Sequence, residues 1–313
     1  MVNLDSTGSG HEDCLSFDSV PPDVIWDTAI VDCPAAWLPL VMPMIKSGKL
    51  IWRAFIESFP LTREVAAAVR RCDQIWAGSE YVKVLLAQSG IDEHLIRVMP
   101  PSRELVLKAP TLGSRVPRAA RRFLSIFKWE ARKAPDVLLE CFAAALALAP
   151  DIRLTIKTSG VSDREFWELV DEVVHDRGEI RKLRSVVEVI AGDLSRSAVL
   201  ELYQDADVFL LPSRGEGFGL PFYEAVSHGI PCIAPAEGGQ RDFLDESNSL
   251  LVESKLVPAA RSGGGTAFAG HYWREVDHAG FTQAILSIAS DPDMFQRLRA
   301  GALTFARDAM VSL

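Results

Sequence analysis

The sequence predicts an α/β fold built on doubly wound parallel sheets, and three observations carry that prediction. From Phe123 onward, apolar runs of strand length alternate with segments of helical spacing, the pattern of successive βαβ units. The apolar run at 208–211 is continuous and bounded by Pro212-Ser213, which suits a strand buried on both faces. A loop carrying Gly215, Gly217 and Gly219 follows it directly, on the carboxyl edge of the sheet where open α/β folds bind ligands.

Taken in chain order, the opening stretch to about Ser19 is polar and reads as frayed, and strand-like segments follow at 24–31 and 50–56 with a helix-like span between them. Residues 64–72 read as a helix and 74–77 as a strand, after which Ser79 stands ready to cap a helix over 80–89. A short strand at 96–100 ends in Pro100-Pro101, and the polar, basic residues beyond mark a domain boundary. The expected domains are 1–113, an N-terminal unit, and 114–313, a C-terminal one. In the second, strands are expected at 123–127, 152–158, 186–190, 208–211 and 231–234, and helices at 134–149, 164–177, 195–204 and 220–228. Asp291-Pro292 has the form of a cap and first position of a further helix.

The chain has 313 residues, enough for two cores, and its 48% hydrophobic content is that of a globular protein. A net charge of −9 leaves no electrostatic footprint for nucleic acid. Arg115, Arg118, Arg121 and Arg122 form a local basic stretch, read first as a solvated linker and second as a peripheral contact with anionic lipid head groups. The best candidate for a membrane span, 35–45, is broken by Pro39 and Pro43 and is far shorter than the roughly 20 residues needed. The start lacks the basic and apolar regions of a secretory signal. Five scattered cysteines without a Cys-x2-Cys pair fit reduced, cytoplasmic surroundings.

Rival chemistries find little support. No histidine falls in a zinc-binding spacing and no Gly-x-Ser-x-Gly occurs. His228 reads as a packing or capping residue near a helix end. Asp205-Ala-Asp207 spells a metal-binding Asp-x-Asp, but it precedes the strand at 208–211 and belongs at the amino edge, away from the ligand crevice. Ser262-Gly-Gly-Gly-Thr266 follows no strand and reads as a flexible loop.

The most informative residues are Glu216 and Glu224, eight positions apart around the glycine loop. Glycine lets the backbone adopt positive φ and approach a ligand closely. Pro221 opens a helix, leaving the amides from Gly219 to Phe222 pointing forward toward phosphate oxygens. Glu224, in the first or second turn, is placed to accept hydrogen bonds from neighbouring hydroxyls such as those of a ribose, and Glu216 to reach another sugar. Taken singly, Glu224 would be a first-turn acid complementing the helix dipole and Glu216 a solvated loop residue. Glu57, after the strand at 50–56, reads first as a surface carboxylate and second as a residue facing a second substrate.

The segment 205–239, with its Glu-x7-Glu and EAVSHGIPCIAPAEGG, resembles the C-terminal domain of retaining GT-B glycosyltransferases, glycosyltransferase family four. The resemblance implies a GT-B-like pair of Rossmann-like domains and a donor site in which Glu224 holds the ribose while Glu216, with Gly217, Phe218, Gly219 and Leu220, meets the donor sugar and phosphates. The family's Arg-x4-Lys, which grips the diphosphate, appears as Lys128-x4-Lys133, with Arg132 able to share the role. Lysine supplies a point charge where arginine supplies a planar fork. The strand, serine and helix around Ser79 also resemble the family's N-terminal domain, which here lacks the usual opening strand and glycine-rich loop.

The implied reaction transfers a sugar from a nucleoside-diphosphate sugar to an acceptor hydroxyl with retention. It calls for no metal or other cofactor, and Glu216, Lys128 and Lys133 are its candidate catalytic residues. The acceptor, whether glycan, lipid or small molecule, is left open. Two alternatives stand beside it: a non-catalytic or partner-dependent nucleotide-sugar-binding protein with a truncated acceptor domain, and a GT-B epimerase.

Overall fold

The computed structural model describes residues 2–5, 14–15, 25–101, 119–174, 176–260, 263 and 268–311. Val2–Asp5 (β1), Cys14–Leu15 (β2), Ile25–Asp32 (β3), Lys46–Ala54 (β4), Gln74–Ala77 (β5) and Ile96–Val98 (β6) form a first sheet in the order β2-β1-β3-β4-β5-β6, every pairing parallel. The opening segment is therefore not wholly frayed, because Val2 to Asp5 pair in register with Ala29 to Asp32. Leu38–Val41 (α1), Arg63–Val69 (α2) and Glu80–Gln88 (α3) connect the strands. Thr62 and Ser79 cap the latter two by accepting from Val65 N and Val82 N, each satisfying an amide that has no partner inside its helix.

Arg122–Lys128 (β7), Arg153–Ser159 (β8), Val187–Ala191 (β9), Val208–Leu210 (β10), Cys232–Pro235 (β11) and Ser249–Val252 (β12) form the second sheet, again parallel, in the order β12-β11-β10-β7-β8-β9. Pro135–Leu148 (α4), Asp163–Val173 (α5), Arg177–Val186 (α6), Arg196–Asp205 (α7) and Leu220–Ser227 (α8) cover it. The single helix expected over 164–177 gives way to two, because Asp176 accepts from Glu179 N and starts a new one. Ser254–Pro258 (β13) and Tyr272–Val276 (β14) make an antiparallel hairpin, and His278–Ser290 (α9) and Pro292–Val311 (α10) follow. Asp291 accepts from the amides of Asp293 and Met294.

The chain runs from β7 outward through β8 and β9, then returns to build β10, β11 and β12 on the other side. The winding therefore reverses between β7 and β10, which is the topological switch point where such sheets take ligands.

Each sheet has its own core. Trp52, Ile75, Leu86 and Met42 centre the first, and Phe123, Phe142, Phe209, Phe222 and Phe281 the second. Burying each such aromatic contributes roughly 1.5–3 kcal/mol. Cys33, Cys72, Cys141 and Cys232 are buried and free. The expected domain boundary at 113/114, Arg115, Arg118 and all of 262–266 except Gly263 lie outside the described residues. Arg121 and Arg122 are not solvated linker residues: Arg121 Nη1 donates to Ala289 O, and Arg122 pairs with Asp205 and Asp207. Asp207, in turn, accepts from the amides of Arg121 and Arg122 at 3.0 Å, fastening the amino edge of the sheet. Among the described residues no helix is long and apolar enough to cross a membrane.

Candidate functional site

The loop leaving β10 and the turn leaving β7 meet at the switch point. Lys133 ends a tight turn over Ala131–Lys133, and Ala134 then takes φ +54° before α4 begins. Left-handed backbone is costly for a residue with a Cβ, by roughly 1–2 kcal/mol, and here it turns Lys133 inward. The Lys133 Nζ lies 2.6 Å from Glu216 Oε1. Both side chains are buried, at 10% and 5% exposure. Burial alone would push the Glu216 carboxyl up, but the Lys133 ammonium and Arg132 guanidinium outweigh it and hold the carboxyl below its ordinary value.

Lys128 stands elsewhere. Its side chain is 71% exposed and pairs with Glu130 at 3.2 Å. Arg132 occupies the inner position beside Lys133: its Nη1 donates to Gly215 O at 2.7 Å, and its Nε lies 3.0 Å from Glu57 Oε2. Glu57 is thus a half-buried carboxylate between the two sheets rather than a free surface one.

The glycine loop is pressed against the carboxyl edge of the first sheet. A Cβ on Gly215 would come within 2.1 Å of Glu57 O, and one on Gly217 within 3.1 Å of Ile56 N. These two glycines permit close approach, whereas only Gly219 in the loop has positive φ, at +91°. Ser79 Oγ, besides capping α3, donates to Gly217 O at 2.7 Å. Phe218 is buried in an aromatic cluster with Tyr223, Phe55 and Phe243, its ring 5.1 Å from that of Phe243. Gly219 then caps α8 with no side-chain partner, and Leu220 is exposed at its first position. No side chain therefore caps the amino end of α8, and a helix end of this kind favours anions.

Glu224 lies one turn further on. Its two oxygens meet Arg196 Nη1 at 3.0 Å and Tyr203 Oη at 2.9 Å. Burial, then the Glu224 charge, raises the Tyr203 hydroxyl well above its ordinary value, so Tyr203 acts as a donor. His228 caps the far end of α8, its ring stacked on Tyr203 at 5.2 Å.

Arg214 escaped the sequence reading. It is 3% exposed, grips Asp136 through both Nη atoms at 3.1 and 2.6 Å, and meets Glu275 at 2.9 Å and Ala131 O at 2.7 Å. A single guanidinium therefore joins the turn after β7, the start of α4, the glycine loop and β14. Its position as the one basic residue between Ser213 and Gly219 is the sequence signal that could have found it.

With this geometry in view, residues 121–261 match the family described as Glycosyl transferases group 1. The chain is 26% identical over 296 residues to a D-inositol 3-phosphate glycosyltransferase of Thermomonospora curvata, covering 86% of this chain and 62% of that protein. It spans less than two thirds of the length of the curated relatives it matches. Its fold resembles that of sucrose-phosphate synthase from Thermosynechococcus elongatus, with a TM-score of 0.66 at 18% identity over 90% of this chain and 69% of the other. It also resembles the pneumococcal O-GlcNAc transferase GtfA, solved in complex with UDP and GlcNAc, with a TM-score of 0.64 at 16% identity over 90% and 53%. The α/β architecture with parallel sheets is that of GT-B glycosyltransferases.

Proposed function

We propose that this chain carries the donor site of a retaining glycosyltransferase, which moves a sugar from a nucleoside-diphosphate sugar to an acceptor hydroxyl without a metal. The observation that carries the proposal is the meeting of Lys133 and Glu216 at the switch point between β7 and β10, beside the uncapped amino end of α8. Negative charge that develops on a departing diphosphate would be met by Lys133, by Arg132 and by the amides near Leu220, preorganised where the charge appears. Glu216, with the backbone of Gly217, Phe218 and Gly219, would orient the donor sugar. Glu224 would exchange its hydrogen bond from the half-exposed Arg196 for those of a ribose. Lys128, being solvent-facing, would add only long-range attraction.

The relatives suggest sugar phosphates among the acceptors, and we extend to this chain a division near residue 113, a cytoplasmic setting and the option of peripheral contact with membranes. The alternative is a non-catalytic or partner-dependent nucleotide-sugar binder. Calorimetric titration with UDP, GDP and ADP, followed by release of each nucleoside diphosphate from its labelled sugar, separates the two. Binding with turnover supports the transferase, binding without turnover supports the second reading, and no binding refutes both.

A further inference from the structure

The turn over Ala131–Lys133 carries both of the cations placed at the diphosphate, and it is held from outside by a residue that the donor-site reading leaves unused. The Arg214 amide donates to Arg132 O at 2.7 Å, and Arg214 Nη1 donates to Ala131 O, also at 2.7 Å. Inside the turn, the Lys133 and Ala134 amides bond to Glu130 O and Ala131 O. Arg214 therefore takes hold of two successive carbonyls just ahead of Lys133 and the left-handed Ala134.

The guanidinium is itself locked. Its side chain is 3% exposed, Nη1 and Nη2 grip the two oxygens of Asp136 at 3.1 and 2.6 Å, and Nε meets Glu275 at 2.9 Å. Asp136 belongs to the first turn of α4 and Glu275 to β14. From β14 the Arg274 amide donates to Arg214 O at 2.9 Å, and Tyr272 exchanges backbone bonds with Phe59 of the first half. Replacing a buried ion pair by well-packed apolar side chains is often neutral or stabilising, so stability is a poor account of a guanidinium at this place. A planar fork fixes direction, which a point charge does not.

We propose that Arg214 is a positioning residue of the donor site: it meets no ligand itself, and by gripping Asp136, Glu275 and the carbonyls of Ala131 and Arg132 it aims the Arg132 and Lys133 side chains at the diphosphate. This inference rests on the donor-site reading above. Charges aimed before the phosphates arrive need no reorganisation on binding, whereas a loosened turn presents the same charges in many directions. Lysine at 214 would keep a positive charge beside Asp136 and Glu275 and lose the two-pronged grip.

The test compares the full chain with Arg214→Lys, Asp136→Asn, Arg132→Ala and Arg214→Lys/Arg132→Ala, each at a temperature where circular dichroism shows it folded. Calorimetry measures UDP against UMP, GDP against GMP and ADP against AMP. Within each pair the base and ribose contacts cancel, so the ratio reads the grip on the terminal phosphate, and a residue that only stabilises the fold leaves it alone. The parent is expected to prefer the diphosphate at least about 10-fold, and Arg214→Lys to lower that preference at least about 3-fold. In the Arg132→Ala background the effect of Arg214→Lys should shrink, because one of the side chains being aimed is gone. Asp136 is 42% exposed, so Asp136→Asn loosens the guanidinium more gently and decides the matter if Arg214→Lys does not fold, with an expected loss of at least about 2-fold. Smaller losses than these, or effects of Arg214→Lys and Arg132→Ala that simply multiply, would overturn the inference. A parent that binds diphosphates without preferring them overturns it as well while sparing the nucleotide site, and a parent that binds no diphosphate removes the donor-site reading itself.

Discussion

Lys133 Nζ and Glu216 Oε1 stand 2.6 Å apart although 83 residues separate them, and this buried pair joins the two halves of the second sheet at its switch point. Removing one partner strands the other charge away from water. Lys133→Met should therefore cost roughly 3–5 kcal/mol of stability, much of it recovered in Lys133→Met/Glu216→Leu, as read from urea denaturation. The pair also sets an acid-side slope. A carboxyl held below its ordinary value contributes stability that is present above the ordinary carboxylate range and lost as pH falls through the depressed one. The double variant should accordingly lose less stability between neutral and acidic pH than the parent.

Arg132 and Lys128 should separate cleanly. Lys128→Ala breaks an exposed pair with Glu130 and should change stability by no more than about 1 kcal/mol. Arg132→Ala removes the 2.7 Å bond to Gly215 O and the link to Glu57, so it should depress turnover at least about 10-fold beyond Lys128→Ala. Steady-state kinetics on a common nucleotide sugar compare them directly, and equal losses would refute the assignment.

Gly215→Ala puts a methyl group 2.1 Å from the Glu57 carbonyl, a backbone atom that cannot step aside. Overpacking of this kind costs about 1–3 kcal/mol, and here it would push the loop away from the first sheet. A thermal unfolding scan should show the loss, together with weaker protection of the loop amides in hydrogen exchange.

Glu224→Gln tests the ribose assignment. If the carboxylate accepts from ribose hydroxyls, the parent should bind UDP, GDP or ADP at least about 10-fold more tightly than the matching 2′-deoxy diphosphate, and the variant should lose that preference. Calorimetry with the pair of ligands reads the ratio, and a parent that does not discriminate would sink the assignment.

Local chemistry made part of this molecule legible. The strand at β10, the glycines after it and Pro221 each act through near neighbours, so α8 and its amino end followed from spelling alone. Ser79 as a cap was legible for the same reason. The different placement of Lys128 and Arg132 was not, because it depends on the turn over Ala131–Lys133 that follows β7. Glu57 looked like a surface acid because its burial comes from Arg132 and Gly215 on the opposite sheet. Arg214 had no visible partners, since Asp136 and Glu275 lie far along the chain in either direction. Gly215 and Gly217 were read as permitting positive φ and close approach to a ligand, yet neither has positive φ and what they approach is the backbone around Ile56 and Glu57.

The hydroxyl of Ser79 closes the first turn of α3 and also clasps the carbonyl of Gly217, 138 residues away. One small group thus ties a structural duty in the first half to the shape of the loop in the second. A fragment beginning after residue 118 would retain every donor-side residue named above and still lack the clasp. Amputation of the N-terminal half should therefore leave a nucleotide pocket that is chemically complete but poorly formed.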